Sequence, residues 1–564
     1  ELPCQHDLSQ ESSSRMKPRA AALQSIAGQS FDVCVIGGGA TGSGCALDSQ
    51  LRGFKSVQLE AGDFASGTSS ASTKMAHGGV RYLEEAIRHF DPQEYRVLKR
   101  ALHERVLMLR NAPFLAGPRQ FVTPAYSWFE GAYYQIGLKL YDWIAARDGL
   151  APSRFESRDE TLQLMPALAK DGMVGSVVYT DGQFDDAGYN IALVKSFAAA
   201  GGETLNYARV IAFQKDKSGK IEAVEVRDEI SGRQFTVCAL AFINATGPHA
   251  DVLRRMANPG TAPLMRLSKG IHILFPWEVL ASEQALLIPK TEDGRVLFAI
   301  PWQGRLLVGT TDEEVNLEDE PYVTKVEVEY LLRHLNKYLA RSARADQIVS
   351  ATAGLRALVS SGRKGDTKNL TRDHLVETDP ATGLISIMGG KWTTYRAMAE
   401  DTLDAAQKYL GADGAKCSTQ QHPLQGSRDY RPEYWRTLVS QFEIAEPTAR
   451  HLAEKHGSDA QQVIAVAKAE PHLAEPLIDG LPPIRAEVIF AARQELAVTV
   501  EDVLARRLGL EIYSWRDALR AAPAVAELLA AELGWFDMQK SESIIQYAGK
   551  IKRWAEQSGI SANL

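Results

Sequence analysis

The chain has 564 residues, which at roughly 150 per domain gives two to four domains, each able to bury a core. Hydrophobic residues make up 45% and charged residues 24%, which excludes disordered, collagenous and low-complexity classes. Lys plus Arg number 63 against 70 Asp plus Glu, and the net charge of -7 excludes a surface that holds nucleic acid by wholesale phosphate neutralisation, while leaving room for a local cationic pocket.

The five cysteines, Cys4, Cys34, Cys45, Cys238 and Cys417, form no CxxC pair and no zinc-ligand spacing, so no metal site is expected. Cys34 and Cys238 fall in apolar strand-like runs and are expected to pack as small hydrophobes, as in a reducing compartment. No apolar run reaches about 18 residues, so no transmembrane helix is predicted. Residues 1 to about 28 are polar and lack the apolar stretch of a secretory signal, so 1–30 is read as an extension outside the fold.

The first predicted strand is Phe31-Asp32-Val33-Cys34-Val35-Ile36, followed by Gly37-Gly38-Gly39-Ala40-Thr41-Gly42 and a helix of small residues. Gly37 permits the tight turn, Gly39 lets backbone approach a pyrophosphate, and Gly42 lets the helix pack on its strand. A second strand ends in Glu60, 23 positions after Gly37, where an acid binds a ribose hydroxyl. Strand, glycine turn, helix and acid at this spacing predict a dinucleotide site without separating FAD from NAD.

Next come Gly67-Thr68-Ser69-Ser70-Ala71-Ser72-Thr73-Lys74 and His77-Gly78-Gly79-Val80-Arg81-Tyr82. The double glycine before Arg81 and Tyr82 points to close approach of a ligand. Residues 112–143 carry Phe114, Phe121, Tyr126, Trp128, Phe129, Tyr133, Tyr134, Tyr141 and Trp143, which fits either a domain core or a lipid interface. Residues 216–220 predict a hairpin turn, and a strand ending in Ala245-Thr246-Gly247 offers small residues to a ligand. In Lys269 to Phe275, His272 alternates with Ile271 and Ile273, which aims it away from the face they share. Arg305 to Val308 reads as extended before Gly309, Thr310 and Thr311, which either end the strand or orient a substrate. The strand from Leu384 runs into Gly389-Gly390-Lys391-Trp392-Thr393-Thr394, where a lysine at the positive end of a helix suits a ring system that gains negative charge on reduction. From about 425 the pattern is helical, with Ala522 to Trp535 amphipathic.

Taken together, GGGATG with Glu60, TSSASTK with HGGVRYLE, Lys269-Gly270-Ile271-His272, Gly309-Thr310-Thr311-Asp312, Ala353-Gly354-Leu355-Arg356, Asn369 to His374 and GGKWTTYR closely resemble the FAD-dependent glycerol-3-phosphate dehydrogenases. Val500 to Arg507 resembles the family's C-terminal helical domain, so the resemblance runs from about residue 31 to the end. Three positions depart from the family pattern: Gly188 after Asp185-Asp186-Ala187 in place of the usual arginine, His249 in place of an aromatic, and Ala357 in place of a proline.

The resemblance implies an α/β fold, α+β overall. Its parts are a Rossmann-like FAD-binding domain of the glutathione-reductase and D-amino-acid-oxidase type, an inserted mixed-sheet cap and a C-terminal helical domain. The expected segments are 31–110, 175–260 and 348–412 for the FAD domain, 111–174 and 261–347 for the substrate cap, and 425–564 for the helices. The implied activity is oxidation of sn-glycerol 3-phosphate to dihydroxyacetone phosphate by hydride transfer to FAD, with electrons passed to a membrane quinone. Peripheral contact with the cytoplasmic membrane from the cytoplasmic side is expected, and a homodimer is left open. An oxidase using molecular oxygen, or an amino-acid or 2-hydroxy-acid oxidoreductase of the same fold, stays as the alternative.

The reaction needs a phosphate site, a base for the hydroxyl proton and a flavin over the C2 hydrogen. Arginine's planar fork suits the phosphate, and Arg356 and Arg372 are the expected pair, with Arg81 and Lys391 as further cations near the flavin. His272 is the expected general base because histidine titrates near working pH, with His77 and His374 as alternatives. Tyr82 and Thr310 complete the catalytic set. The expected cofactor contacts are Gly37, Gly39, Gly42, Glu60, Thr68, Ser69, Ser70, Thr73, Lys74, His77, Gly78, Gly79, Ala245, Thr246, Gly247, Gly354, Gly390, Lys391, Trp392 and Thr393.

Overall fold

Two sheets and a helical layer organise the molecule, seen here in a computed structural model that describes residues 16–79, 92–317, 321–359, 374–413 and 415–560. In the first sheet the strand order is His374–Thr378, Ile385–Gly389, Gln234–Asn244, Ser30–Ile36, Ser56–Leu59, Glu203–Leu205. The last five run parallel, and His374–Thr378 closes one edge antiparallel. A parallel strand buried on both faces reads as a continuous apolar run, as Val33–Ile36 does once the less buried Ser30 and Asp32 are past. Val33 and Val35 enter a core with Tyr189, Phe197, Tyr395 and Leu403, while Cys34 and Ile36 enter the opposite core with Phe242, Val224 and Leu253. The helices Ala40–Leu51, Asp186–Ala199 and Tyr395–Leu410 cover the first of these faces. The turn at 216–220 does join an antiparallel hairpin, Ala208–Lys215 with Ile221–Asp228, and Asp216 caps it by accepting from the Ser218 and Lys220 amides.

The second sheet is mixed, ordered Glu313–Val315, Met265–Pro276, Arg305–Gly309, Leu297–Trp302, Ala285–Ile288, Ala116–Ala125, Gly175–Phe184, Met75–Ala76. Ser350–Val359 pairs along the length of Met265–Pro276, and Arg154–Ser157 pairs with Gly175–Phe184. Sheet membership therefore cuts across the expected segments. Residues 175–184 and 350–359 fall in the segments expected for the FAD domain, yet both strands pair in the cap sheet, because the first extends the Ala116–Ala125 ladder over ten pairs and the second matches Met265–Pro276 over ten. These strands carry the cap sheet up to the cofactor loops.

The N-terminal segment also differs from expectation. Lys17 and Arg19 pair with Glu203 and Asp228, and the helix Arg19–Ile26 buries Ala22 and Ile26 against the first sheet, so residues 16–30 belong to the fold. Cys34 is buried as expected, whereas Cys238 is exposed: its strand alternates, and its side chain takes the outer face.

From residue 434 onward the described chain is helical, including Tyr434–Phe442, Glu446–His456, Ala460–Ala469, Arg485–Gln494, Trp515–Leu533 and Asp537–Ser558. The predicted amphipathic segment 522–535 lies in Trp515–Leu533, whose Trp515, Ala518, Val525 and Leu529 share one core with Ile271, Ile273 and Phe275 of the second sheet. Cap and helices are thus built on common apolar packing. No helix among the described residues is long and apolar enough to cross a membrane.

Candidate active site

Both sheets meet at a cavity of about 1480 Å3. Ordinary small-molecule pockets run to about 300–1,000 Å3, so this one has room for a dinucleotide and a small substrate together. One end is the glycine turn. Gly37 has φ +121°, and a Cβ there would meet the Ala245 carbonyl oxygen at 2.5 Å. At Gly42 a Cβ would lie 2.1 Å from the Gly37 carbonyl oxygen, so helix Ala40–Leu51 seats on its strand only with glycine there. The helix N-terminus is exposed to the cavity, where the Ala40 amide donates to Ser69 Oγ at 2.9 Å. Glu60 sits at the end of the neighbouring strand and accepts from the Gly62 and Gly38 amides. Burial pushes its carboxyl upward against those donors.

Three distant parts of the chain are laced together around the cavity. Thr68 donates to the Leu355 carbonyl at 2.6 Å, Trp392 Nε1 donates to the Ser69 carbonyl at 2.9 Å, and the His77 amide donates to Thr393 Oγ1 at 3.2 Å. Gly354 lets its strand approach the loop, since a Cβ there would fall 2.7 Å from the Ala71 side chain. Gly390, at φ +79°, turns the chain ahead of Lys391, which lines the cavity. Trp392 packs edge-on against Phe184, Tyr189 and Tyr395.

His272 stands where the second sheet faces this loop cluster. Opposite it on the adjoining strands are Gly309 and Thr352, and a Cβ at Gly309 would lie 2.1 Å from His272 Cδ2, so the imidazole occupies space that glycine leaves free. Its Nε2 is 3.0 Å from Thr73 Oγ1, and its Nδ1 has no hydrogen-bond partner among the described residues. Burial first, then the charges of Arg356 and Lys74, push its pKa down to about 3. The ring is therefore neutral at physiological pH.

Arg356 lies four residues along the same strand from Thr352, opposite Ser268. Gly270 makes its berth, since a Cβ there would sit 2.3 Å from Nη2. The guanidinium donates to Thr310 Oγ1 and the Thr311 carbonyl, both at 3.0 Å, and is 3.5 Å from Asp312. Thr310 thus acts on the site by orienting Arg356. Lys74 is 3% exposed and forms a buried pair with Asp186, a carboxylate that also takes the amide and hydroxyl of Ser72.

Of the expected residues, Gly37, Gly39, Glu60, Thr68, Ser69, Ser70, Thr73, Lys74, His77, Gly79, Ala245, Thr246, Gly247, His272, Thr310, Gly354, Arg356, Gly390, Lys391, Trp392 and Thr393 line this one cavity. Gly42 lies behind the wall, and Gly78 packs against Leu102 and Tyr141. Thr246 turns its hydroxyl back to Asn244, which leaves its backbone to the cavity. His374 is taken up by Asp401 at 2.7 Å, away from the cavity, which removes it as an alternative base. Arg81, Tyr82 and Arg372 lie outside the described residues.

Sequence reasoning missed Tyr141, whose Oη accepts from the Gly78 amide and donates to the buried Asp181, itself paired with Arg105. It also missed Lys455, which gives Asp185 a cation at 2.7 Å. No local motif marks either residue.

Cradle, acid and neutral imidazole on this fold define a dinucleotide-dependent oxidoreductase. Residues 32–396 match the family described as FAD dependent oxidoreductase, and residues 417–540 match the C-terminal domain of alpha-glycerophosphate oxidase. The mitochondrial glycerol-3-phosphate dehydrogenase of Homo sapiens is 39% identical over 525 residues, covering 91% of this chain and 72% of that one. That of Arabidopsis thaliana is 38% identical over 556 residues, covering 95% and 88%. The crystal structure of the glycerol-3-phosphate dehydrogenase from Bacillus halodurans complexed with FAD superposes with a TM-score of 0.77 at 27% identity, covering 96% and 98%. The chain belongs to the FAD-dependent glycerol-3-phosphate dehydrogenase family. The residues fit that cofactor: the glycines leave backbone open to phosphates, Glu60 offers a carboxylate at the end of the neighbouring strand, where this fold binds a ribose, and the Ser69 to Gly79 and Gly390 to Thr393 turns line the rest of the cavity.

Proposed function

We propose that the protein oxidises the secondary alcohol of sn-glycerol 3-phosphate to dihydroxyacetone phosphate and passes the two electrons to a membrane quinone. The observation that carries the reading is His272, a neutral imidazole sunk in the cavity wall with Nε2 on Thr73, Nδ1 without a partner among the described residues, and Arg356 beside it. Bound FAD supplies a ring that accepts hydride from the substrate C2. The chain's own groups do the rest. His272 takes the hydroxyl proton as the C–H bond breaks and the carbonyl forms. Arg356, held by Thr310, binds the phosphate with charge-assisted hydrogen bonds, and Lys391 adds a second cation. Arg372, Arg81 and Tyr82 enter this proposal from the family resemblance alone.

The low pKa of the free imidazole suits this order of events. A phosphate dianion at Arg356 offsets one of the cations that depress His272, so the base gains strength as substrate binds. Oxidation of glycerol 3-phosphate with a soluble quinone analogue as acceptor tests the reading. Hydrogen peroxide released at the same rate without quinone would put molecular oxygen in the quinone's place.

The helix Trp128–Ala145 supports a membrane acceptor. Trp128, Phe129, Tyr133, Ile136 and Trp143 are 71%, 81%, 49%, 71% and 71% exposed, and they run along one face at helical spacing. Lys139 and Arg147 are exposed beside them. An outward apolar stripe with aromatic ends and flanking cations fits the headgroup region of a bilayer. We assign this face to peripheral membrane contact.

A further inference from the structure

Behind the lining of the catalytic cavity stands Asp63, a buried carboxylate three residues after Glu60 that accepts four side-chain hydrogen bonds. Arg507 grips its carboxylate with both Nη atoms, at 2.7 and 2.9 Å, and Arg506 Nε donates to it at 2.5 Å. Asn206 adds a fourth contact at 3.1 Å. Both arginines stand on the π-helical turn Asp502–Arg507 of the C-terminal helical region, within the Val500 to Arg507 motif to which the catalytic site gives no role. The turn is fixed in its own right: Arg506 pairs with Asp502, Asp502 accepts from Tyr207 Oη at 2.7 Å, and Arg507 donates to the Glu495 carbonyl at 2.7 Å.

The loop that Asp63 anchors is the one that shapes the ribose end of the cofactor site. The Gly62 amide donates to Glu60, the Tyr207 amide donates to the Gly62 carbonyl, and the Ala65 amide donates to the carbonyl of Gly38 in the glycine turn. Residues 60–66 thus connect the acid, the glycine turn and the two arginines through consecutive hydrogen bonds. A buried carboxylate left without its cations is driven toward water, and here it would take this short loop with it.

We propose that Arg506 and Arg507 are positioning residues for FAD: through Asp63 they hold the Glu60 loop in its ribose-binding shape, which makes cofactor retention a function of the C-terminal helical region. The inference rests on the cofactor and not on the identity of the substrate, so its readout is FAD itself. The experiment measures FAD dissociation by flavin fluorescence on the deflavinated full chain, with glycerol 3-phosphate KM measured separately at saturating FAD. For Arg507→Met the expected result is an FAD dissociation constant raised at least about tenfold with KM within about twofold of wild type, because His272 and Arg356 are untouched. The double variant Asp63→Asn/Arg507→Met, which leaves no unpaired buried charge, should recover part of the loss. Arg507→Lys keeps the charge and loses the bidentate fork, and it should fall between; it serves as the test if Arg507→Met does not fold. A folded Arg507→Met or Arg507→Lys that holds FAD as tightly as wild type overturns the proposal, as does a variant whose KM rises while its FAD affinity stays.

Discussion

His272 shows how a single residue's role depends on what its neighbours leave out. Gly309 gives it space, Thr73 fixes one nitrogen, and burial with Arg356 and Lys74 keeps it unprotonated. Replacing it by glutamine should lower kcat about 10²- to 10⁴-fold with little change in KM, as for a lost general base; steady-state kinetics with a quinone analogue reads this. The same group has a signature in stability. Its folded pKa lies below its ordinary value of 6.5, so below that pH the unfolded chain binds the extra proton, and stability present above pH 6.5 is lost as pH falls toward 3. Urea midpoints measured from pH 7 down to about 5 should therefore decline less steeply in His272→Gln than in wild type. Equal slopes would mean that the imidazole is not buried and neutral. Arg356→Ala should raise KM about ten- to hundredfold, the loss of one charge-assisted phosphate contact.

At the scale of the element, the glycine turn was legible because its requirements are steric and local. Gly37 and Gly42 each face a carbonyl oxygen that no side chain clears. Gly42→Val should purify without flavin absorbance; a yellow, fully loaded variant contradicts the placement of the cofactor. His272 was legible for a similar reason, since period-two alternation sends it to the face opposite Ile271 and Ile273. Partner choice between strands was not. Residues 350–359 look like any strand leading back to the cofactor, and only their match with Met265–Pro276 puts them in the cap sheet. The aromatic run at 112–143 divided in a way composition does not reveal: Phe114, Phe121 and Tyr141 are buried, while Trp128, Phe129 and Trp143 point outward. The pair Trp128→Ser and Phe129→Ser should reduce sedimentation with liposomes while leaving glycerol 3-phosphate oxidation in solution unchanged, and undiminished sedimentation would remove this helix from the membrane contact.

Across the whole molecule, contacts between residues far apart in sequence turn two sheets and a set of helices into one site. Asp63 and Arg507 are 444 positions apart, and nothing in either residue's surroundings in the sequence announces the other. Tyr141 and Gly78 meet through folding in the same way. Fold class, cofactor and the placing of His272 toward the cavity were therefore open to sequence reasoning, whereas the supports that hold these parts in place were not. The overall charge of -7 fits this division, because the proposed phosphate site rests on a few placed cations within a mildly repulsive whole. The central claim is that these parts together oxidise glycerol 3-phosphate with FAD. Its most direct test is anaerobic addition of glycerol 3-phosphate to the purified holoenzyme without any acceptor. The account predicts stoichiometric bleaching of the oxidised flavin and formation of dihydroxyacetone phosphate. A flavin that stays oxidised with glycerol 3-phosphate, yet bleaches with a phosphate-free hydroxy acid or amino acid, would contradict it.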